Sequence, residues 1–245
     1  MSEAAAPVEI ILRIPGQWAH PGELMERLPE GHRLTPEGLI LPDGTAIQFG
    51  GLAADGQFAE IFRTSCRQAA TPEELAVVKS YTVNFCLSGP GGSLEAARRM
   101  MQAGAAVVRA GGAGVFVDNS VLAHGGRHWL QMSEDGGPDA TSFAFVAIVS
   151  GRDDVFTMGM HVLGLRDLLM KRVDADAESF GIIDVIRYLA RGEKPVDEGH
   201  VLADVSGPRF RAFVQDSPRE LARGPMHNPF GRLKLVSMRD LAEKN

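Results

Sequence analysis

Asp118, His124, His128 and His161 come nearest, by type and spacing, to a catalytic or metal-ligating set. An acid at a strand end with imidazoles nearby can pass a proton or ligate a metal. His124 and His128 are four residues apart, the separation that sets two imidazoles on one helical face. The zincin pattern also needs a glutamate directly after the first histidine; here that position is Gly125, and Gly126 beside it disfavours a continuous helix. Solvated loop histidines or satisfied structural ones are the simpler reading, and no metal is expected. His161, beside Met158, Met160 and Leu163, is expected to pack at an edge. Asp118, His124 and His128 remain the candidates for catalysis.

The turn Ser88-Gly-Pro-Gly-Gly-Ser93 is the more attractive candidate site. At a helix N-terminus, Gly91, Gly92 and Ser93 would turn backbone amides toward a phosphate or carboxylate, with Arg98 and Arg99 one to two turns further on. The turn has neither the lysine and closing hydroxyl of a P-loop nor GxGxxG spacing, so a structural turn is the simpler reading and no cofactor is expected. Ser88, Ser93 and Ser120 adjoin turns, but none sits in a GxSxG elbow. Cys86 falls inside an expected strand, where burial raises a thiol pKa and leaves it inert. Asp153 and Asp154 are adjacent in a turn, so their side chains point apart. Trp18, Trp129, Phe210 and Phe230 would anchor a partner if exposed, although core placement accounts for most of them more simply. The C-terminal Arg209, Arg211, Arg219, Arg223, Arg232, Lys234 and Arg239 are diluted by Asp216, Glu220 and Asp240, which describes a surface face and not a nucleic-acid groove.

These residues depend on elements that must position them, and the clearest run from Ser80 to Ser120. Tyr81, Val83, Phe85 and Leu87 alternate as one face of a strand, which Ser88 to Gly92 is expected to stop. Ser93 is placed to cap a helix over 94–110, where Leu94, Ala97, Met101, Ala105 and Val108 form a stripe and Gly104 implies a neighbour needing the space of its missing side chain. Val115 to Val117 begins the strand after it. Upstream, strands are expected at 8–14, 38–41, 45–49 and 58–62, with a short helix from His20 to Leu28 and another started by Thr71-Pro-Glu-Glu74. Downstream, 133–140 reads as a surface loop and 143–149 as a buried strand; 163–170 and 179–189 read as helices, the second with a stripe of Ile182, Ile183, Ile186 and Leu189. Strands at 201–205, 210–214 and 233–236 follow, with irregular chain over 219–232 between the last two.

This mixture points to an α+β fold: a two-layer sandwich of mixed or antiparallel sheet with helices, with two ferredoxin-like lobes as the leading topology. The expected division is a β-rich lobe over 1–70, a central α/β lobe over 71–215 and a C-terminal extension over 216–245. With 245 residues, a formal charge of -6 and 44% hydrophobic residues, the chain is ordinary for a globular protein and too acidic to coat nucleic acid or an anionic membrane. Cys66 and Cys86 are too few for a disulfide framework, and MSEAAAPVEIIL lacks the basic and apolar regions of a secretory signal, so the cytoplasm is expected. AGGAGVFVDNSVLAH at Ala110 to His124, together with FTMGMHVLGLRDL at Phe156 to Leu168, resembles a family of bacterial cytoplasmic proteins of unknown function. The resemblance covers the middle 90 residues or so and implies a protein-binding or immunity-type role, with no catalytic residues to transfer. The expected function is a non-enzymatic module that binds a protein partner or itself. The alternative is a small-molecule or phosphate-binding enzyme such as a hydrolase, using the 88–93 turn and the 118–128 segment.

Overall fold

The computed structural model describes residues 7–175, 180–192, 194–222 and 224–243. Arg223, the first six residues and the expected helix start at Ser179 lie outside them. Among the described residues, seven strands form one antiparallel sheet: β1 (Glu9–Gly16), β2 (Arg33–Thr35), β3 (Gly38–Ile40), β4 (Ala46–Ala53), β5 (Val83–Pro90), β6 (Gly114–Val117) and β7 (Leu122–Gly125). Their order is β2-β3-β4-β5-β1-β6-β7. A second sheet holds β8 (Ala147–Ser150), β9 (Asp154–Met158), β10 (Asp167–Lys171), β11 (Val201–Asp204), β12 (Gly207–Gln215) and β13 (Arg232–Ser237), in the order β11-β12-β13-β10-β9-β8. It consists of two antiparallel meanders joined by the parallel pair β10 and β13. The chain is therefore α+β with mostly antiparallel sheets. The expected divisions at residues 70 and 215 each cut a sheet, because β5 lies between β4 and β1, and β13 lies between β12 and β10.

The helices are α1 (Pro21–Arg27), α2 (Phe58–Ser65), α3 (Pro72–Lys79), α4 (Leu94–Arg109), α5 (Gly126–Asp135), α6 (Pro138–Phe145), α7 (Arg172–Ala175), α8 (Ile182–Arg191) and α9 (Met238–Ala242). Helix α3 starts with a capping box, in which the Glu74 amide donates to Thr71 Oγ1 at 3.2 Å and the Thr71 amide to Glu74 Oε2 at 2.7 Å. Ser93 caps α4 by accepting the Ala96 amide at 3.1 Å. Helix α4 buries Ala97, Met100, Met101, Ala105 and Val108, and Gly104 faces Trp129. A Cβ at Gly104 would lie 3.0 Å from Trp129 Nε1, whose N–H donates to the Met101 carbonyl at 3.0 Å. Trp129 is fully buried and meets Phe145 edge to face at 5.7 Å. One apolar cluster runs from Leu12, Leu87 and Val117 of the first sheet through these helices to Leu168, Phe210 and Leu235 of the second.

Several local expectations give way to packing. Residues 58–62 are helical, because Phe58 and Phe62 at a four-residue spacing both enter a second apolar cluster with Tyr81, Phe116 and Ala123. That cluster covers the face of the first sheet opposite α4, so helices lie on both faces there and the arrangement exceeds two layers. The strand β5 runs on through Ser88 to Pro90, paired with Ile11 to Glu9, instead of stopping at Ser88. Residues 133–140 belong to α5 and α6, joined at Gly136 in the left-handed region (φ 59°), and 143–149 divides between the end of α6 and β8. Residues 163–170 are not a helix: a 3-10 turn over Met160–Leu163, bracketed by left-handed Gly159 and Gly164, leads into β10. On α8 the buried stripe is Ile182, Val185, Ile186 and Leu189, while Ile183 is exposed.

Candidate functional site

The tip of the β6–β7 hairpin, Asp118 to Val121, brings the two sheets together. Val121 adopts a left-handed conformation (φ 54°), which turns the chain tightly enough to drive Asn119 inward. Asn119 is fully buried; its Oδ1 accepts the Ile11 amide at 3.0 Å, and its Nδ2 donates to the carbonyls of Glu9 at 2.8 Å and Pro225 at 3.0 Å. His161 Nε2 lies 2.9 Å from the same Pro225 carbonyl, which places the ring proton on Nε2 and leaves Nδ1 a buried acceptor without a partner. Burial lowers the His161 pKa to about 4, so it is neutral at pH 7 and too weak a base for efficient proton abstraction. Asp118 Oδ2 accepts from Arg13 Nε at 2.9 Å and Nη2 at 2.7 Å. Burial raises the Asp118 pKa against the opposing pull of Arg13. A cleft of about 410 Å³ opens beside this junction, lined by Glu9, Ile11, His161, Pro225 and His227.

The other predicted residues are not brought to this cleft. His124 lies in β7 opposite Val115, three residue pairs along the hairpin from its tip, and His128 lies in α5, so the two never share a helical face. At strand spacing that puts His124 roughly 10 Å from Asp118. His124 is fully buried with Nε2 at 3.0 Å from the Ala144 carbonyl, and burial lowers its pKa to about 3. His128 packs at 5.5 Å from the rings of both His124 and Phe143, and burial and then Arg67 lower its pKa. Arg67 stacks over Phe143 at 4.4 Å and donates to the Phe143 and Val146 carbonyls. The histidines here fasten α5 and α6 to the first sheet. Among the described residues, no group of three or more His, Cys, Asp and Glu side chains is placed to hold a metal.

The glycine turn is occupied by its own chain. The Gly91 amide donates to Val8 at 2.8 Å and the Gly92 amide to Val162 at 3.0 Å, so neither is turned toward a ligand. Ser93 Oγ is taken by the α4 cap, Arg99 pairs with Glu95, and Arg98 is half-buried. The anion site expected at Gly91, Gly92, Ser93, Arg98 and Arg99 thus gives way to backbone bonding. The turn docks instead on Gly164, where a Cβ would approach the Gly92 carbonyl oxygen to 2.4 Å. Cys86 is half-buried with its thiol pKa raised by burial, and Ser120 Oγ is buried without a partner. Trp18, Trp129 and Phe210 are core residues, whereas Phe230 is partly exposed.

A surface that residue chemistry did not single out lies at the opposite side of the first sheet. Trp18, Leu24 and Met25 from α1 and the segment before it, Leu34 of β2, Phe49 of β4, and Val83 and Phe85 of β5 line a groove of about 520 Å³. Phe49 stacks on Phe85 at 5.3 Å, yet Phe49 is 41% exposed, Leu52 43% and Met25 51%. The available signal was Ala46 to Ala54, an uncharged stretch lying between Asp43 and Asp55. No protein-family model, curated protein or solved structure matches the chain.

Proposed function

We propose that the protein is a non-enzymatic module that binds a protein partner or itself through the groove beside β4. The supporting observation is the exposed apolar surface of Met25 and Phe49 lining that groove, since such patches on a folded chain mark contact sites. The alternative, a small-molecule or phosphate-binding hydrolase, would need the Gly91 and Gly92 amides, which already bond within the chain. The test compares the wild-type chain with Met25→Lys by size measurement and by pull-down from native lysate. A captured species that the variant loses, or self-association of the wild-type chain, is the expected result. A strict monomer that captures only what Met25→Lys also captures overturns the reading.

We read the core of the first sheet as a ferredoxin-like unit; the order β4-β5-β1-β6 with antiparallel neighbours, and α4 between β5 and β6, supports this. The second sheet has another order. Membership of the bacterial family resembled at 110–124 and 156–168 is proposed with it, supported by the meeting of the two segments at Asn119 and His161. Cytoplasmic residence is part of the same reading, as is the absence of a nucleic-acid partner, which the formal charge of -6 supports. No helix among the described residues is long and apolar enough to cross a membrane.

A further inference from the structure

The neighbour β3 pairs with β4 only at Ala46 and Ile47. Beyond that point β4 is bonded to β5 on one side and has no strand of the described residues on the other. The direction of its free groups follows from the hairpin. Leu41 donates its amide to the Thr45 carbonyl at 2.9 Å, and Ile47 lies opposite Leu39, so the odd-numbered residues aim their N–H and C=O groups toward β3. Continued past the end of β3, the same alternation aims the backbone groups of Phe49, Gly51 and Ala53 out of the sheet.

Natural edges are guarded by charge, proline or a bulge, and Ala46 to Ala53 contains no charged residue and no proline, while its pairing with β5 is regular from Gln48 to Ala53. We propose that this edge pairs with the same edge of a second copy of the chain, antiparallel and two-fold about Gly51, giving one sheet continuous across two protomers. The proposal rests on the docking reading above and names its occupant. In that register Gly51 faces Gly51 of the second copy, Phe49 faces Ala53 and Leu52 faces Gly50. Each large side chain meets a small one, and the odd residues form the hydrogen-bonded pairs their outward groups require. A Cβ at Gly50 would touch nothing within 4 Å, so Leu52 of the second copy has room to lie across it. Because no charge lies on the strand, two identical edges meet without repulsion, and a charged peptide finds nothing there to pair with. Only residues 49–53 take part, so the β2–β3 hairpin stays in place.

Sedimentation velocity from about 1 to 100 μM, with hydrogen exchange at both ends of that range, tests the pairing. A dimer is expected, with concentration-dependent protection of the Phe49, Gly51 and Ala53 amides. Gly51→Pro removes an amide that makes no bond within the monomer and should weaken the dimer by about tenfold or more. Leu52→Lys, which keeps the backbone intact, should weaken it as well, and thermal unfolding like that of the wild type at the dilute end of the range, where the dimer has dissociated, confirms that both variants fold. A monomer throughout overturns self-pairing but leaves docking standing if Met25→Lys still loses a captured partner. A dimer insensitive to both substitutions, without protection at 49–53, overturns the use of this edge.

Discussion

The tip of the β6–β7 hairpin and the free half of β4 belong to one sheet and treat their hydrogen-bonding groups in opposite ways. At the tip, Asn119 joins β1 to the Pro225 loop, Asp118 is held by Arg13, and His161 meets the Pro225 carbonyl. From Phe49 to Ala53 of β4 the side chains are apolar or absent, and the backbone beyond Ile47 lacks a second neighbouring strand among the described residues. Polar residues thus mark where this protein is built, and an unremarkable uncharged strand marks where it is unfinished. Substitutions at the first region should change stability, and substitutions at the second should change association.

Asn119→Ala is expected to have the largest effect. It leaves the Ile11 amide and the Glu9 and Pro225 carbonyls without their partner in a buried place, a loss of roughly 3 kcal/mol by urea unfolding. A loss under about 0.5 kcal/mol would remove the tip from the structural half of the comparison. Next is pH. Burial holds His124 near a pKa of about 3 and His161 near about 4, below the usual value for histidine, so the unfolded chain binds more protons and stability falls as pH drops below about 6.5.

Asp167 works in the other direction. Burial raises its pKa to about 6, although Asn228 Nδ2, the Met160 amide and Thr157 Oγ1 all donate to it. The folded carboxyl keeps its proton where the unfolded one has lost it, so its contribution declines as pH rises from about 4 to about 6, by roughly 3 kcal/mol in all. Asp167→Asn should abolish that decline and leave the histidine slope; an unchanged pH profile would refute the assignment. Asp118→Asn is expected to cost about 1 kcal/mol, because the Arg13 side chain is 38% exposed and solvent screens the pair. Leu52→Lys closes the series, with a stability change within about 0.5 kcal/mol, since Leu52 is exposed. A larger loss by the same unfolding measurement would mean that the β4 edge is part of the fold's own support.

Much of the fold is legible in local chemistry. The Thr71 and Ser93 caps, the small-residue face of α4 and the space left at Gly104 can all be read before any coordinate is known. Residues 58–62 and 163–170 are not readable in this way, because short apolar runs fit either period and the deciding contacts come from Phe116 and Tyr81, or from Gly159, Gly164 and the partner strand β13. Candidate chemistry was legible only as residue types. Whether a glycine amide is free depends on Val8 and Val162, and whether a histidine is a base depends on how deeply its ring is buried.

By itself the sequence determined the α+β character, the strand from Val83 to Leu87 and the capped helix from Leu94 to Arg109, since dihedral preference, capping and hydrophobic period act within a few residues. The tertiary structure alone decided that the apparent reactive groups are internal fasteners and that β4 is left with an open side. Both outcomes depend on which distant backbone fills, or fails to fill, each hydrogen-bonding position.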